Sequence, residues 1–87
     1  MDYDIRFEPN VVRRDIPSIP PAFVDPIMRA IHERLTVLPE GAGKPLRHNL
    51  KGCWRLRVGE WRVLYRIDGR SVSVFSIVIR RDVYKKR

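Results

Sequence analysis

The chain has 87 residues, 44% of them hydrophobic and 32% charged, with a formal net charge of +8 at pH 7. This length predicts one domain over residues 1–87. The sequence has no apolar stretch near the ~18 residues that a membrane span needs and no apolar core of a secretory signal. A single cysteine excludes an internal disulfide and, with two distant histidines, is too little for a zinc site, so we expect a cytoplasmic protein without metal or cofactor.

The first residues of the chain predict a strand and a short helix. Residues 2–8 alternate between charged and apolar side chains, which is the pattern of a strand with one face buried. Pro9 ends this strand, and Asn10 is placed to cap a short helix over residues 11–15.

A longer helix is predicted after a proline-rich stretch. Apolar side chains recur at three- and four-residue spacing, at Ile27, Ile31, Leu35 and Leu38. Asp25 as the cap and Pro26 at the first helical position make one start signal, and a start near Pro21 with a kink at Pro26 is the alternative. Pro39 ends the helix, and residues 40–44, with two glycines, predict a mobile loop.

Residues 53–79 predict a three-stranded antiparallel meander. Gly59-Glu60 and Asp68-Gly69 supply two-residue hairpin turns between stretches of alternating residues. The first turn sets a register in which six residues form one apolar face against the helices: Trp54, Leu56, Val58, Trp61, Val63 and Tyr65. With the N-terminal strand added, we expect an α+β fold with an antiparallel four-stranded sheet and a helical pair packed on one face.

The second hairpin leaves the facing of the last strand open. A loop at Asp68-Gly69 pairs Val63 with Val74 and, in a regular strand, places Arg80 on the core side. A bulge near Ser76, or the end of the strand before Arg80, would instead place Arg80 on the opposite face.

The register of the first hairpin also brings arginines together on the face opposite the core. Arg57 lies directly across from Arg62, with Arg55 and Arg66 nearby. Like charges directly opposed on a sheet are destabilising, so the cluster predicts an anion-binding site. The alternative is that these side chains spread into solvent or pair with the carboxylates at the hairpin tips, which are too few to reach them all.

The charge distribution along the chain points to a polyanionic partner. Residues 1–43 hold five Lys or Arg and seven Asp or Glu, whereas residues 44–87 hold thirteen and three. A basic half on a near-neutral domain indicates nucleic acid or, less commonly, an acidic protein, and a solubilising surface would intersperse the two signs. Candidate contacts to backbone phosphates, besides Arg66, are Lys44, Arg47, Lys51 and Lys85. For the tail that carries Lys85, an unstructured basic end is the alternative.

Two segments resemble the RelE/ParE toxin superfamily. Residues 45–65 read PLRHNLKGCWRLRVGEWRVLY, whose first half is especially similar to the YoeB-like branch, and residues 80–84 read RRDVY, similar to a C-terminal Arg-x-Asp-Val-Tyr signature. The resemblance covers essentially the whole chain in order and implies a RelE-like fold. It further implies the toxin half of a type II toxin–antitoxin pair, which a cognate antitoxin neutralises in a hetero-oligomeric complex.

For the activity, the resemblance implies one of two reactions. RelE-like members cut mRNA in the ribosomal A site, use the RNA's own 2′-hydroxyl as nucleophile and need no metal, whereas ParE-like members share the fold but inhibit DNA gyrase. We expect the first activity, inhibition of translation by an endoribonuclease (an mRNA interferase) with the ribosome and mRNA as partners. A toxin relic that acts only within an antitoxin complex is a third interpretation.

The resemblance also implies roles for individual residues. Arg62 and Arg80 match arginines of the family that clamp the phosphate, where clustered guanidiniums stabilise the charge of in-line attack. Tyr84 matches the C-terminal tyrosine, for stacking on a base or for proton transfer, with a lid packed on the sheet edge as the alternative. Arg55 and Arg57 stand where RelE-like members often carry lysine, and an arginine cannot lose its proton to act as a base.

The sequence leaves the general base open. The glutamate that YoeB-like members carry shortly before Pro45-Leu46 is absent, and Ile79 precedes Arg80 where many relatives place histidine. A histidine has a pKa suited to acid–base work, although His48 is also explained as a loop residue in solvent. The candidates, in order, are His48, Tyr84, Asp82 and Glu40.

Overall fold

The computed structural model describes residues 2–47 and 50–79 of the chain. In chain order its elements are β1 (Asp4–Phe7), a π-helical turn (Val11–Asp15), α1 (Ile16–Ser18), α2 (Pro21–Leu35), α3 (Pro39–Ala42), β2 (Lys44–Pro45), β3 (Cys53–Val58), β4 (Trp61–Asp68) and β5 (Ser71–Ile79). Five candidate site residues lie outside the described residues: His48, Arg80, Asp82, Tyr84 and Lys85.

The strands form one five-stranded sheet in the order β1-β5-β4-β3-β2. The meander of β3, β4 and β5 is antiparallel, as predicted, and β2 pairs antiparallel with β3. β1 runs parallel to β5, so the α+β class is confirmed but the expected antiparallel four-stranded sheet is wrong. Parallel pairing needs a long connection, which the helices and the other strands supply here, and β2 is too short to show an alternating pattern.

Helix α2 begins at Pro21, as the alternative start predicted, and Asp25 is not its cap. Pro20 precedes the helix with extended backbone (φ −55°, ψ 139°). Pro21 occupies the first turn, where the missing N–H costs nothing because that N–H has no partner inside a helix. Pro26 lies inside the helix and removes one backbone hydrogen bond, a loss that the buried apolar side of α2 offsets.

The two shorter helical segments also differ from the sequence expectation. Asn10 makes no side-chain cap hydrogen bond, because its own backbone is already helical (φ −56°, ψ −38°) and a cap needs extended backbone. Helix α2 ends at Leu35, and Pro39 begins α3 instead of ending α2. Residues 40–44, predicted as a loop, therefore form most of α3 and the start of β2.

The hydrophobic core lies between α2 and one face of the sheet. Its buried members on α2 and the meander are Ile27, Ile31, Leu35, Leu56, Trp61, Val63, Tyr65, Val72, Val74 and Ile77. The predicted apolar face is confirmed, since four of its six residues are buried and Trp54 and Val58 pack partly buried against them. The arginines of β3 and β4 lie on the other face of these strands.

The second hairpin turns one residue later than the sequence suggests. Asp68 pairs with Ser71, so the loop is Gly69-Arg70. Val63 pairs with Ile77 and not with Val74, a shift of three residues, of which the loop accounts for two and the bulge described below for one. Gly69 has φ +61°, a left-handed conformation that glycine adopts without strain, and it takes the first loop position. Moving the loop by one residue shifts the pairing by two, so the same valines still face the core.

A β-bulge interrupts the pairing of β4 and β5. Tyr65 lies opposite Val74, whereas the preceding Leu64 lies opposite Ser76. Phe75 is therefore the extra residue on β5. A bulge near Ser76 was one of the alternatives that the sequence left open, and the structure contains it.

The bulge reverses the facing of the end of β5. Asp15 holds this stretch, because its Oδ2 accepts a 2.9 Å hydrogen bond from the Ile77 amide. Val78 consequently lies beside Arg62, on the face away from the core. Arg80 lies outside the described part of the chain, so its predicted facing is not tested.

None of the helices in the described part of the chain is long and apolar enough to cross a membrane.

Candidate nucleic-acid interface

The first hairpin places Arg57 directly across from Arg62, as predicted. Gly59 makes this possible by taking φ +60° in the two-residue turn. Because side chains alternate along a strand, Arg55 shares the side of Arg57, and Arg66 shares the side of Arg62. Lys44 of β2 pairs with Arg55. We call the surface formed by Lys44, Arg55, Arg57, Arg62 and Arg66 the basic face.

Arg57 and Arg62 differ sharply in exposure. Arg62 is 6% exposed, and its Nη1 donates hydrogen bonds of 3.3 Å and 3.2 Å to the carbonyl oxygens of Gly59 and Trp61. Arg57 is exposed, and its carbonyl oxygen accepts a 3.4 Å hydrogen bond from Nη1 of Arg34 on α2. The hairpin thus fixes one guanidinium and leaves the other open to solvent.

Arg55 offers a buried donor without a partner. Its Nε is buried and has no hydrogen-bond partner among the described residues. An unpaired buried donor of this kind costs about 1–3 kcal/mol. Arg55 also lines a surface cleft of about 380 Å³ with Lys44, Pro45, Leu46 and Arg47. Three cations around one cleft are suited to hold a phosphate group.

Arg66 is engaged differently from the other arginines. Its Nη1 lies 3.0 Å from Oε2 of Glu8, and its guanidinium carbon lies 4.3 Å from the centre of the Phe75 ring. The sequence suggested the carboxylates at the hairpin tips as partners of the arginines. The carboxylate that contacts Arg66 is instead that of Glu8, which follows β1. Its contact to nucleic acid remains a prediction.

Tyr65 ties the cleft to the core. Its hydroxyl donates a 2.7 Å hydrogen bond to the carbonyl oxygen of Pro39, and burial raises the pKa of Tyr65 to about 12. This phenol therefore stays protonated near neutral pH and is not a general base. Gly43 packs against it so closely that a Cβ there would overlap both the Tyr65 hydroxyl and the Arg55 carbonyl oxygen. That close approach brings β2, and with it Lys44, to Arg55.

The remaining candidates lie around this face. Lys44, Arg47 and Lys51 are exposed on β2 and on the chain leading into β3, and Glu40 is exposed on α3. Within residues 2–47 and 50–79, no three His, Cys, Asp or Glu side chains are grouped so that they could share a metal ion. Glu8 and Phe75, which contact Arg66, were not among the predicted site residues.

Comparison with known proteins agrees with this architecture. A sequence profile for the ParE toxin of the type II toxin–antitoxin system parDE matches residues 12–84. The chain belongs to the RelE/ParE toxin superfamily. This toxin is 34% identical to toxin RelG of Mycobacterium tuberculosis over 88 aligned positions, which cover 99% of this chain and 100% of RelG.

Solved structures show the same fold. The toxin matches a chain of the RelBE2 toxin–antitoxin complex of Mycobacterium tuberculosis with a TM-score of 0.85 and 33% identity, over 92% of this chain and 100% of that chain. A chain of the RelB–RelE complex of Methanococcus jannaschii matches with a TM-score of 0.72 and 20% identity, over 94% of this chain and 98% of that chain. At that identity the second match shows the fold alone.

Proposed function

We propose that this type II toxin is a ribosome-dependent mRNA endonuclease that inhibits translation. The observation that carries the proposal is the directly opposed pair of Arg57 and Arg62 on the basic face. Like charges opposed in this way repel each other, and an anion bound above them would reduce that repulsion. The similarity of this chain to the RelG and RelE toxins supports RNA as that anion.

The proposed reaction uses the RNA as its own nucleophile. The 2′-oxygen bonds to the adjacent phosphorus as the bond to the 5′-oxygen breaks, which gives a cyclic phosphate and a free 5′-hydroxyl. A base takes the 2′-hydroxyl proton, and an acid returns one to the leaving oxygen. Negative charge grows on the phosphate oxygens, where the guanidinium groups of Arg55, Arg57 and Arg62 would stabilise it.

The proton-transfer groups are proposed from the candidates that the sequence supplies. Arginines cannot give up a proton near neutral pH, so Arg55 and Arg57 are stabilisers and not bases. The order His48, Tyr84, Asp82 and Glu40 therefore stands as proposed, with Arg80 as a second phosphate clamp.

A cognate antitoxin is the proposed protein partner, in a cytoplasmic hetero-oligomer. The chain of the RelBE2 structure that this toxin resembles at 33% identity was solved as part of a toxin–antitoxin complex. The basic half of the chain is suited to an acidic partner segment, because opposite charges favour its association.

Cleavage of mRNA in programmed ribosomes tests the proposal. Wild-type toxin should cut the message, and Arg57→Ala should lower the cleavage rate about 10²–10³-fold, as expected for one lost donor to the developing charge. Arg62→Ala should abolish cutting, with a thermal melt to show that the hairpin remains folded. Arg29→Ala, which removes a cation from the exposed surface of α2, is the control. An intact message with folded wild-type toxin would refute the activity.

Inhibition of DNA gyrase is the second candidate. The match to the ParE profile and the arginines at positions 55 and 57, where RelE-like members often carry lysine, favour it. A supercoiling assay with purified gyrase separates the two functions: inhibition of gyrase together with intact mRNA would support this candidate. Overexpression of this chain with no effect on growth would support the third interpretation, a toxin relic that acts only within an antitoxin complex.

A further inference from the structure

Three side chains from distant parts of the chain meet at one end of the basic face. The Arg66 guanidinium lies 4.3 Å over the Phe75 ring, and the Glu8 carboxylate holds its Nη1 at 3.0 Å. These residues belong to β4, to β5 and to the segment after β1, so the cluster spans three adjacent strands. The ion pair joins positions 58 residues apart in the sequence.

The bulge explains why an aromatic ring lies on this face. Val74 before it faces the core, and Phe75 is the extra residue, so its ring contacts Arg66 on the opposite side. The residue across from Arg66 on β5 is the small Ser73. With no large neighbour there, the side chain of Arg66 keeps 51% of its surface exposed.

The cluster is poorly suited to hold a phosphate. Glu8 already compensates the charge of Arg66 and places a negative charge beside any anion that approaches. As a surface ion pair it adds little stability, about 0–1 kcal/mol. What it presents is a flat guanidinium group that a carboxylate binds and that lies over an aromatic ring. Flat guanidiniums and aromatic rings are the groups on which unpaired RNA bases stack.

We propose that Arg66, Phe75 and Glu8 form a stacking subsite for one base of the mRNA. This inference rests on the proposed endonuclease function. Four residues along a strand separate Arg66 from Arg62 by about 13 Å, so the base would belong to a nucleotide near the cut linkage and not to the clamped phosphate itself. The base stacks on the exposed side of the Arg66 guanidinium, and Glu8 keeps that plane oriented.

A variant that keeps charge but removes the flat surface tests the subsite. Arg66→Lys retains a cation for Glu8 and loses the plane. Arg70→Lys is the matched control, because Arg70 lies 5.3 Å over the ring of Tyr3, and Tyr3 packs on the core side of the sheet. Phe75→Leu removes the ring under Arg66 and keeps an apolar side chain. Thermal melts of all three variants establish that each is folded.

Each protein is assayed by single-turnover cleavage in ribosomes programmed with a defined mRNA, with an abasic nucleotide placed in turn on either side of the cut linkage. Wild-type toxin should lose about tenfold in rate with one of these messages. Arg66→Lys and Phe75→Leu should be about tenfold slower on the normal message and lose nothing further on the abasic one. Arg70→Lys should behave as wild type on both.

The outcomes separate this inference from the function on which it rests. If wild-type toxin cuts but Arg66→Lys shows the same abasic loss as wild type, the subsite is wrong and the endonuclease stands. The same holds if Arg66→Lys cannot be distinguished from Arg70→Lys. If wild-type toxin leaves every message intact, the endonuclease and the subsite both fail.

Discussion

Arg57 and Arg62 face each other across two strands in the register of the first hairpin. Such a pair is an unusual choice for stability alone, because directly opposed like charges repel at short range. Arg62 is fixed by two carbonyl oxygens of the hairpin, so the repulsion acts mainly on the exposed Arg57. The pair therefore makes stability and activity compete at one residue.

Replacing Arg57 should improve stability while it harms activity. Arg57→Gln removes the opposed charge, so we expect the free energy of unfolding to rise by about 0.2–1 kcal/mol as mRNA cleavage falls. Urea denaturation at low salt measures the gain, and added salt should reduce it because salt screens the repulsion. Arg29→Gln on α2 is the control and should leave both quantities near wild type. A loss of stability in Arg57→Gln would show that Arg57 contributes to the fold.

Tyr65 links stability to alkaline pH. Its pKa of about 12 in the folded chain exceeds the usual value of about 10, so the folded state holds the phenol proton more tightly than the unfolded state. This contribution is complete below pH 10 and is lost as the pH rises towards 12, at up to about 1.4 kcal/mol per pH unit.

Tyr65→Phe tests that linkage. The variant loses the hydrogen bond to the Pro39 carbonyl oxygen, so its free energy of unfolding should be about 1–2 kcal/mol lower near neutral pH. Between pH 10 and 12, however, it should lose less stability than wild type, and the two curves should converge. Urea denaturation across this range measures both quantities. Parallel curves would mean that Tyr65 does not titrate differently in the two states.

At the scale of elements, α3 and β2 join the site to the core. Gly43 lies between them, where its missing side chain lets the backbone approach Tyr65 and Arg55. Its φ of −119° is open to any residue, so the requirement for glycine here is one of space alone.

Substitution at Gly43 should displace this junction. Gly43→Ala puts a methyl group into backbone and a buried hydroxyl, so we expect about 1–3 kcal/mol of lost stability and slower cleavage as Lys44 moves away from Arg55. Gly41→Ala is the matched control in the same segment. There the methyl group meets only the side chain of Leu38, which is exposed and can move aside. Equal losses in the two variants would refute the role of the close approach.

Local contacts explain which elements could be predicted. The register of the first hairpin follows from a two-residue turn that contains Gly59, and the pairing of Arg57 with Arg62 follows from that register. The second hairpin offers two adjacent two-residue loops around Gly69, and the sequence does not decide between them. The predicted facing of Val72 and Val74 was still correct, because the two loops differ by an even shift in pairing. The bulge then changes the facing of the residues that follow it.

Long-range contacts explain what was missed. β1 pairs in parallel with β5, far along the chain, and alternation within a strand carries no information about its neighbours. The contact between Glu8 and Arg66 depends on that pairing, so it could not be predicted from local patterns. The sequence left the start of α2 open between two prolines that both fit a helical first turn, and the helix begins at the earlier one.

At the scale of the whole molecule, the hydrophobic core and the basic face lie on opposite faces of the sheet. The apolar side of α2 and the core residues of the meander occupy one face of the sheet, and the basic face occupies the other. The net charge is also uneven along the sequence: residues 44–87 carry a balance of +10 and residues 1–43 a balance of −2. The cations grouped on the basic face attract a polyanion to that face and speed its association.

Salt dependence distinguishes a specific phosphate contact from general positive charge. Binding to single-stranded RNA should weaken with salt, with a slope of about −0.7 in log affinity against log salt for each phosphate contacted. Arg55→Ala should make this slope shallower by about 0.7, because the variant removes one contact on the basic face. Arg29→Ala removes the same charge from α2, across the sheet, and should lower affinity slightly without changing the slope. Fluorescence anisotropy with a labelled oligonucleotide over a range of salt concentrations measures both. Equal slopes for the two variants would mean that only total charge matters and that the basic face does not contact the RNA backbone.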